Sequence, residues 1–198
     1  MSLFRRTVMA GLVAAFPVHA AQTGSGNPVN LDQLMAKLRT VRHVEARYIE
    51  HRYLHALRTP IESRGTLRFD APAHLEKASD PGANGAAERV TIDGDRLTID
   101  RGAGASPIVL TLQEHPEIGV LVESIRATLS GDGDALQRAF NITASGDISE
   151  WQLVLRPRAQ RDILQWMRIG GHAERITAID TQDGDGDRSE MSIVELTR

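Results

Sequence analysis

The chain has no cysteine among its 198 residues, few aromatics (4%), and no internal apolar run long enough to cross a bilayer. Without cysteine there is no disulfide and no thiol through which a mature N-terminus could be lipidated, so folding depends on an ordinary apolar core. With few aromatics, that core must come mainly from Leu, Ile and Val. A formal net charge of −3 with no basic cluster is unlike a nucleic-acid footprint, and no nucleic-acid partner is expected. There is also no Gly-x-Ser-x-Gly elbow, no thiol nucleophile and no phosphate-cradling glycine loop, so nothing specific points to catalysis.

The N-terminus does carry a signal. Arg5 and Arg6 precede an apolar stretch from Val8 to Phe16, and Val18, His19 and Ala20 fit a cleavage site. The apolar stretch falls well short of the roughly 20 residues of a span, so residues 1–20 read as a cleavable secretory signal with the cut after Ala20. A periplasmic protein is expected. Residues 21–29 form a Gly- and Ser-rich lead-in, and residues 30–198 are expected to be one domain.

The pattern after that is mainly β. Asn30, with Gln33 three residues on, opens a helix whose apolar face is Leu31, Leu34, Met35, Leu38 and Val41. Residues 44–56 and 63–70 read as two strands, because β-branched and aromatic residues are spread through them and Pro60 forbids a continuous helix. A short strand over 75–78 and a loop over 79–87 follow. Val90 and Ile92 alternate into Asp93-Gly94, and Leu97 and Ile99 alternate away from it, which marks a tight hairpin. Ile108, Leu110 and Leu112 continue the alternation. The period then changes: Ile118, Leu121, Val122, Ile125 and Leu129 share a helical face behind Pro116, and Asp134 caps a shorter helix. Strands resume over 140–144, 151–157, 163–169, 175–180 and 189–196, with Asp183–Asp187 as the last hairpin turn. The economical fold is α+β: one curved antiparallel sheet with helices over one face.

Several stretches in this order resemble the outer-membrane lipoprotein carrier family (LolA-like). They are Leu38 through Val41 into residues 44–50 with Tyr48, the strand from Gly65 through Leu67 and Phe69 to Pro72, the turn from Ile92 through Gly94 to Leu97, and Asp187 to Ser189. The resemblance implies an open half β-barrel with a helical lid over an apolar cavity. It also implies a non-enzymatic carrier of acyl chains across the periplasm, with no cofactor. The implied partners are an acylated lipoprotein or lipid cargo, an inner-membrane donor and an outer-membrane acceptor. The carrier itself would be a monomer that nears the membrane without anchoring. Residues 31–41 and 118–129 would supply the lid. Two positions depart from the family. Ala71 stands before Pro72, where the family carries an arginine tying sheet to lid, and the usual C-terminal extension does not follow the last strand. A divergent carrier of a lipoprotein or another acylated molecule is the expectation.

The candidate acyl-binding residues are Leu34, Leu38, Tyr48, Leu67, Phe69, Ile92, Leu97, Ile99, Leu110, Leu121, Ile125, Trp151 and Leu153, each equally at home in a plain core. His51 and His55 are four apart, but Arg52 follows His51 where a zincin needs Glu, and the segment reads as strand, so no metal is expected. The Asp183–Asp187 run opens like a calcium loop but has Arg188 where glycine is needed and Val194 where a bidentate Glu is needed. Two other classes stay open: an enzyme of acyl-lipid or polyene assembly on the same scaffold, and an interaction module with a closed core. Polar groups converging in the pocket would favour the first, and a dry, filled interior the second.

Overall fold

The computed structural model of the chain describes residues 29–82, 87–102, 104–159 and 164–196. The expected signal over 1–20, the lead-in up to residue 28, part of the 79–87 loop and Ile163 lie outside the described residues.

Strands β1 (His43–Tyr53), β2 (Ile61–Asp70), β3 (His74–Ser79), β4 (Arg89–Asp93), β5 (Arg96–Asp100) and β6 (Ile108–Thr111) run outward as a meander. Strands β7 (Phe140–Asp147), β8 (Glu150–Pro157), β9 (Trp166–His172), β10 (Arg175–Gln182) and β11 (Arg188–Glu195) form a second meander that returns to the first. The two join where β11 pairs antiparallel with β1, Tyr48 facing Ile193 and Tyr53 facing Arg188. The result is one antiparallel sheet of 11 strands in the order β6-β5-β4-β3-β2-β1-β11-β10-β9-β8-β7, open at β6 and β7 and therefore not closed into a barrel.

This order dictates where the helices go. The chain leaves β6 at one free edge and must begin β7 at the other, so the segment between them has to cross a face of the sheet. That segment is α2 (Pro116–Leu129) and α3 (Gly133–Ala139). Pro116 starts α2 at a position whose N–H would be unpaired anyway. Gly131 ends it at φ +65, a conformation glycine adopts without a Cβ penalty. Helix α3 is capped by Asp132 rather than Asp134: the Asp132 carboxylate accepts the Ala135 N–H at 2.9 Å, and Asp134 falls in the first turn. Helix α1 (Leu31–Leu38) is capped by Asn30, which accepts the Gln33 N–H at 3.1 Å. It ends before Val41.

Sheet curvature has a local origin in β2. Gly65 sits opposite Tyr48 on the concave face, and a Cβ there would collide with the Ala78 carbonyl of β3. Only a residue without a side chain lets β3 fold in that closely. A bulge in β10 between Ile176 and Ala178 adds a second bend.

The main core lies at the β7–β9 end. Leu34, Met35 and Leu38 of α1, Ala127 of α2 and Leu136 of α3 pack on Phe140, Trp151, Leu153, Leu155, Met167 and Ile169. Trp151 lies across Gly171 and donates its indole N–H to the Ala173 carbonyl at 2.8 Å. A smaller cluster at the other end joins Leu97 and Leu112 to Val122 of α2, with Ile92, Ile99 and Leu110 against it. Helix α2 thus rests on both ends of the sheet. The centre beneath it is left unfilled.

Candidate acyl-binding cavity

The unfilled centre is a cavity of about 710 Å³, within the range of pockets that enclose a small ligand. Its roof is α2, where Ile118, Leu121, Val122, Ile125 and Leu129 point down at helical spacing. Its floor comes from alternate positions of the first meander: Val44 and Ala46 on β1, Leu67 and Phe69 on β2, Leu75 on β3, Ile92 on β4 and Leu97 on β5. Met191 and Ile193 of β11, with Ile176 and Ile179 of β10, complete the wall. Ile176 and Ile179 are three apart and could not share a face of a regular strand. The β10 bulge between them changes the parity and turns both inward.

One side of the cavity is polar. Glu50 of β1 lines it and is only 7% exposed. Its Oε2 accepts from Lys77 Nζ of β3 at 2.5 Å and from the Ser63 hydroxyl at 3.2 Å, and its Oε1 accepts from the Ser189 hydroxyl at 2.6 Å. Burial alone would raise the Glu50 pKa, but the Lys77 charge and hydrogen bond, with the two hydroxyls, outweigh it and hold the carboxyl below its ordinary value. Lys77 reaches Glu50 across the Tyr48 ring, its ammonium 5.0 Å from the ring centroid. Tyr48 itself is sealed beneath them. Burial raises its pKa, and its hydroxyl lies by Ser63 without a well-formed hydrogen bond. Arg52, Asp187 and Arg188 stand at the end of the cavity beyond Glu50. Asp187 accepts the His55 backbone N–H at 2.8 Å and pairs with its ring at 2.9 Å, which holds the Asp187 carboxyl low and raises the exposed His55.

Two arginines fix the helices. Arg126 of α2 donates from Nη2 to the Gly94 carbonyl in the β4–β5 turn at 2.5 Å, and Arg39 donates to the Gly131 carbonyl at 2.8 Å. An antiparallel open sheet, a helix latched across its concave face and an apolar hollow between them accord with the comparison that names the family. The model of the family described as outer membrane lipoprotein carrier protein LolA-like matches residues 23–194.

The chain belongs to this LolA-like family.

No curated protein is similar enough to match. Among solved structures, a LolA superfamily protein from Nitrosomonas europaea is 9% identical, with 86% of this chain and 94% of that one covered and a TM-score of 0.44. A DUF1329 family protein from Desulfovibrio piger is 10% identical, with 83% and 88% covered and a TM-score of 0.43.

Of the thirteen candidate residues of this LolA-like chain, the structure brings Leu38, Leu67, Phe69, Ile92, Leu97, Leu121 and Ile125 to the cavity wall. The other six lie elsewhere. Leu34, Trp151 and Leu153 are fully packed in the main core, because α1 sits directly on β8 and β9. Ile99 and Leu110 pack in the small cluster. Tyr48 faces the concave side but is covered by Lys77. Helix α1, expected as part of the lid, is mostly core, and only Leu38 reaches the cavity.

Ala71 lies in the β2–β3 turn and donates its N–H to the Arg42 carbonyl at 2.9 Å, while Arg68 is exposed and donates to Asp70. Neither ties the sheet to a helix; Arg126 does, while Arg39 ties the end of α1 to the α2–α3 turn. His51 and His55 pair with Glu62 and Asp187. Among the described residues no group of three His, Asp or Glu converges as metal ligands.

The candidates left out the polar residues and several apolar ones of the wall, among them Val44, Leu75, Ile176, Ile179, Met191 and Ile193. On β1 the signal was parity: Val44, Ala46, Tyr48, Glu50 and Arg52 fall on one face. Parity alone could not show that Ser63, Lys77 and Ser189 meet Glu50 from three other strands.

Proposed function

We propose that the chain is a periplasmic carrier that shields the acyl chains of a lipoprotein or another acylated molecule in this cavity during transit to the outer membrane. The observation that supports it is the position of the hollow. Both ends of the α2–sheet interface are packed, and the apolar space lies only between them. Burying a methylene is worth about 0.8 kcal/mol, so ten methylenes supply about 8 kcal/mol, in the micromolar range before association costs are subtracted. Leu121 remains 36% exposed although it faces the hollow, which marks a side through which a chain can enter. Family membership supports the same reading. Among the described residues no helix is long and apolar enough to cross a membrane.

The polar cluster in the pocket does not support catalysis. Both serines donate to a carboxylate whose proton affinity is lowered, and such a carboxylate is a poor base for activating them. A membrane-side donor and an outer-membrane acceptor complete the proposal.

Native mass spectrometry of the protein purified from its own periplasm, followed by lipid extraction, tests it. A co-purifying acylated protein or lipid is expected. Cargo-free protein that also ignores fatty-acid probes would overturn the reading in favour of an interaction module.

A further inference from the structure

The cavity is not uniformly apolar, and its polar side holds N–H donors that are not fully used. Glu50, the buried acceptor, already takes three donors from Ser63, Lys77 and Ser189. It has little left to offer a ligand. The donors are in the opposite position. Lys77 carries three N–H groups and spends one on Glu50, and its side chain is 36% exposed, on the cavity wall. Arg52 lies two residues beyond Glu50 on the same face of β1, about 7 Å along the strand, and also lines the cavity. Its backbone pairs in the β1 ladders, and among the described residues its guanidinium makes no hydrogen bond. Its neighbour Asp187 is engaged by the backbone and ring of His55. The Arg52 charge helps hold the Asp187 carboxyl low but spends no side-chain hydrogen bond on it, so this end sets spare N–H donors beside an apolar trough.

A trough of methylene-sized walls ending at spare N–H donors fits an amphiphile with an acceptor head. A cationic head would need a free carboxylate, and each one lining the cavity has a partner: Glu50 its three donors, Glu76 Arg89, Glu174 Lys37, Asp183 the Asp185 and Asp187 N–H groups, and Asp187 His55. We propose that the cargo group held in this cavity is an acyl chain bearing an anionic oxygen head, a carboxylate or a phosphate monoester, which accepts from Lys77 and Arg52 while the chain lies under α2. This rests on the carrier reading and narrows it: cargo without an anionic head would gain nothing from these donors.

The test is isothermal titration calorimetry of the purified protein with decanoate, decyl phosphate, decanol and inorganic phosphate. Both anionic amphiphiles are expected to bind about tenfold or more tightly than decanol, the effect of one or two charge-assisted hydrogen bonds. That preference should collapse toward unity in Arg52→Gln combined with Lys77→Met. Because Lys77→Met with Glu50 intact strands a buried carboxylate, the same two substitutions combined with Glu50→Gln, which keeps an acceptor for both serines, must show the same loss of preference.

Decanol binding as tightly as decanoate, or a preference that survives in both combined variants, overturns the anionic head and leaves the carrier standing. Inorganic phosphate binding as tightly as decyl phosphate would make this a free-anion site and also overturns it. If no alkyl probe binds, the carrier reading and the head proposal fall together.

Discussion

Lys77 of β3 reaches across β2 to Glu50 of β1, its Nζ 2.5 Å from Oε2. The reach is diagonal. In register Lys77 faces Leu67, which faces Ala46, so the lysine stem must pass over Tyr48 to arrive at position 50. It can do so because the β2 position opposite Tyr48 is Gly65, which has no side chain to fill that path.

This pair should govern acid stability. The folded-state pKa of Glu50 lies below its ordinary value of 4.5. Its contribution is therefore fully present above that value and is lost as pH falls through the lower, folded value. Glu50→Gln is expected to lower the melting temperature at neutral pH and to converge with the wild type as pH drops below the ordinary glutamate range. Thermal melts across that range check it; a gap that stays constant with pH would show that the charge is not what stabilises.

Core and cavity should respond differently to truncation. Leu153 is fully buried among α1, β8 and β9, so Leu153→Ala should cost about 2–5 kcal/mol in denaturant unfolding. Leu121 faces the hollow and is 36% exposed, so Leu121→Ala should cost under about 1 kcal/mol and yet weaken decanoate binding. Leu121→Trp should block binding outright with stability retained.

The Arg126 bond to the Gly94 carbonyl holds the C-terminal part of α2 to the β4–β5 turn. Arg126→Gln is expected to cost about 1–2 kcal/mol and to hasten amide exchange in the C-terminal half of α2. Faster association of a fluorescent fatty acid by stopped flow should accompany it. Unchanged association would mean that cargo enters without movement of α2.

Gly65→Ala places a methyl group against the Ala78 carbonyl. Since that atom is backbone, β3 must shift away, and a loss of about 1–3 kcal/mol is expected. Circular dichroism under denaturant measures it, and a neutral result would show that the sheet can flatten there.

Much of this fold can be read from local pattern. Period-two stretches became β1, β2, β4, β5, β8 and β11, and the period change after Pro116 became α2. Boundaries moved where local chemistry competes. Asp132 takes the cap from Asp134, and β9 runs Trp166–His172, beyond the expected strand end at Ile169, because Gly170 and Gly171 continue the ladder beneath Trp151. The β10 bulge was invisible, since register belongs to a pair of strands and not to one.

What the sequence determined by itself is the set of faces: which side chains of each strand and helix turn the same way, fixed by periods of 2 and 3.6 residues and by turn chemistry at Gly94 and Gly131. What tertiary structure decided is which of those apolar faces are filled. Leu153 and Leu67 look alike in sequence, yet one is packed beneath α1 and the other lines a hollow. The difference arises because α2 must span from β6 to β7 and is held up by both ends of the sheet. The same long-range pairing, β11 against β1, brings Ser189 to Glu50 across 139 residues of chain, a meeting that no local pattern encodes.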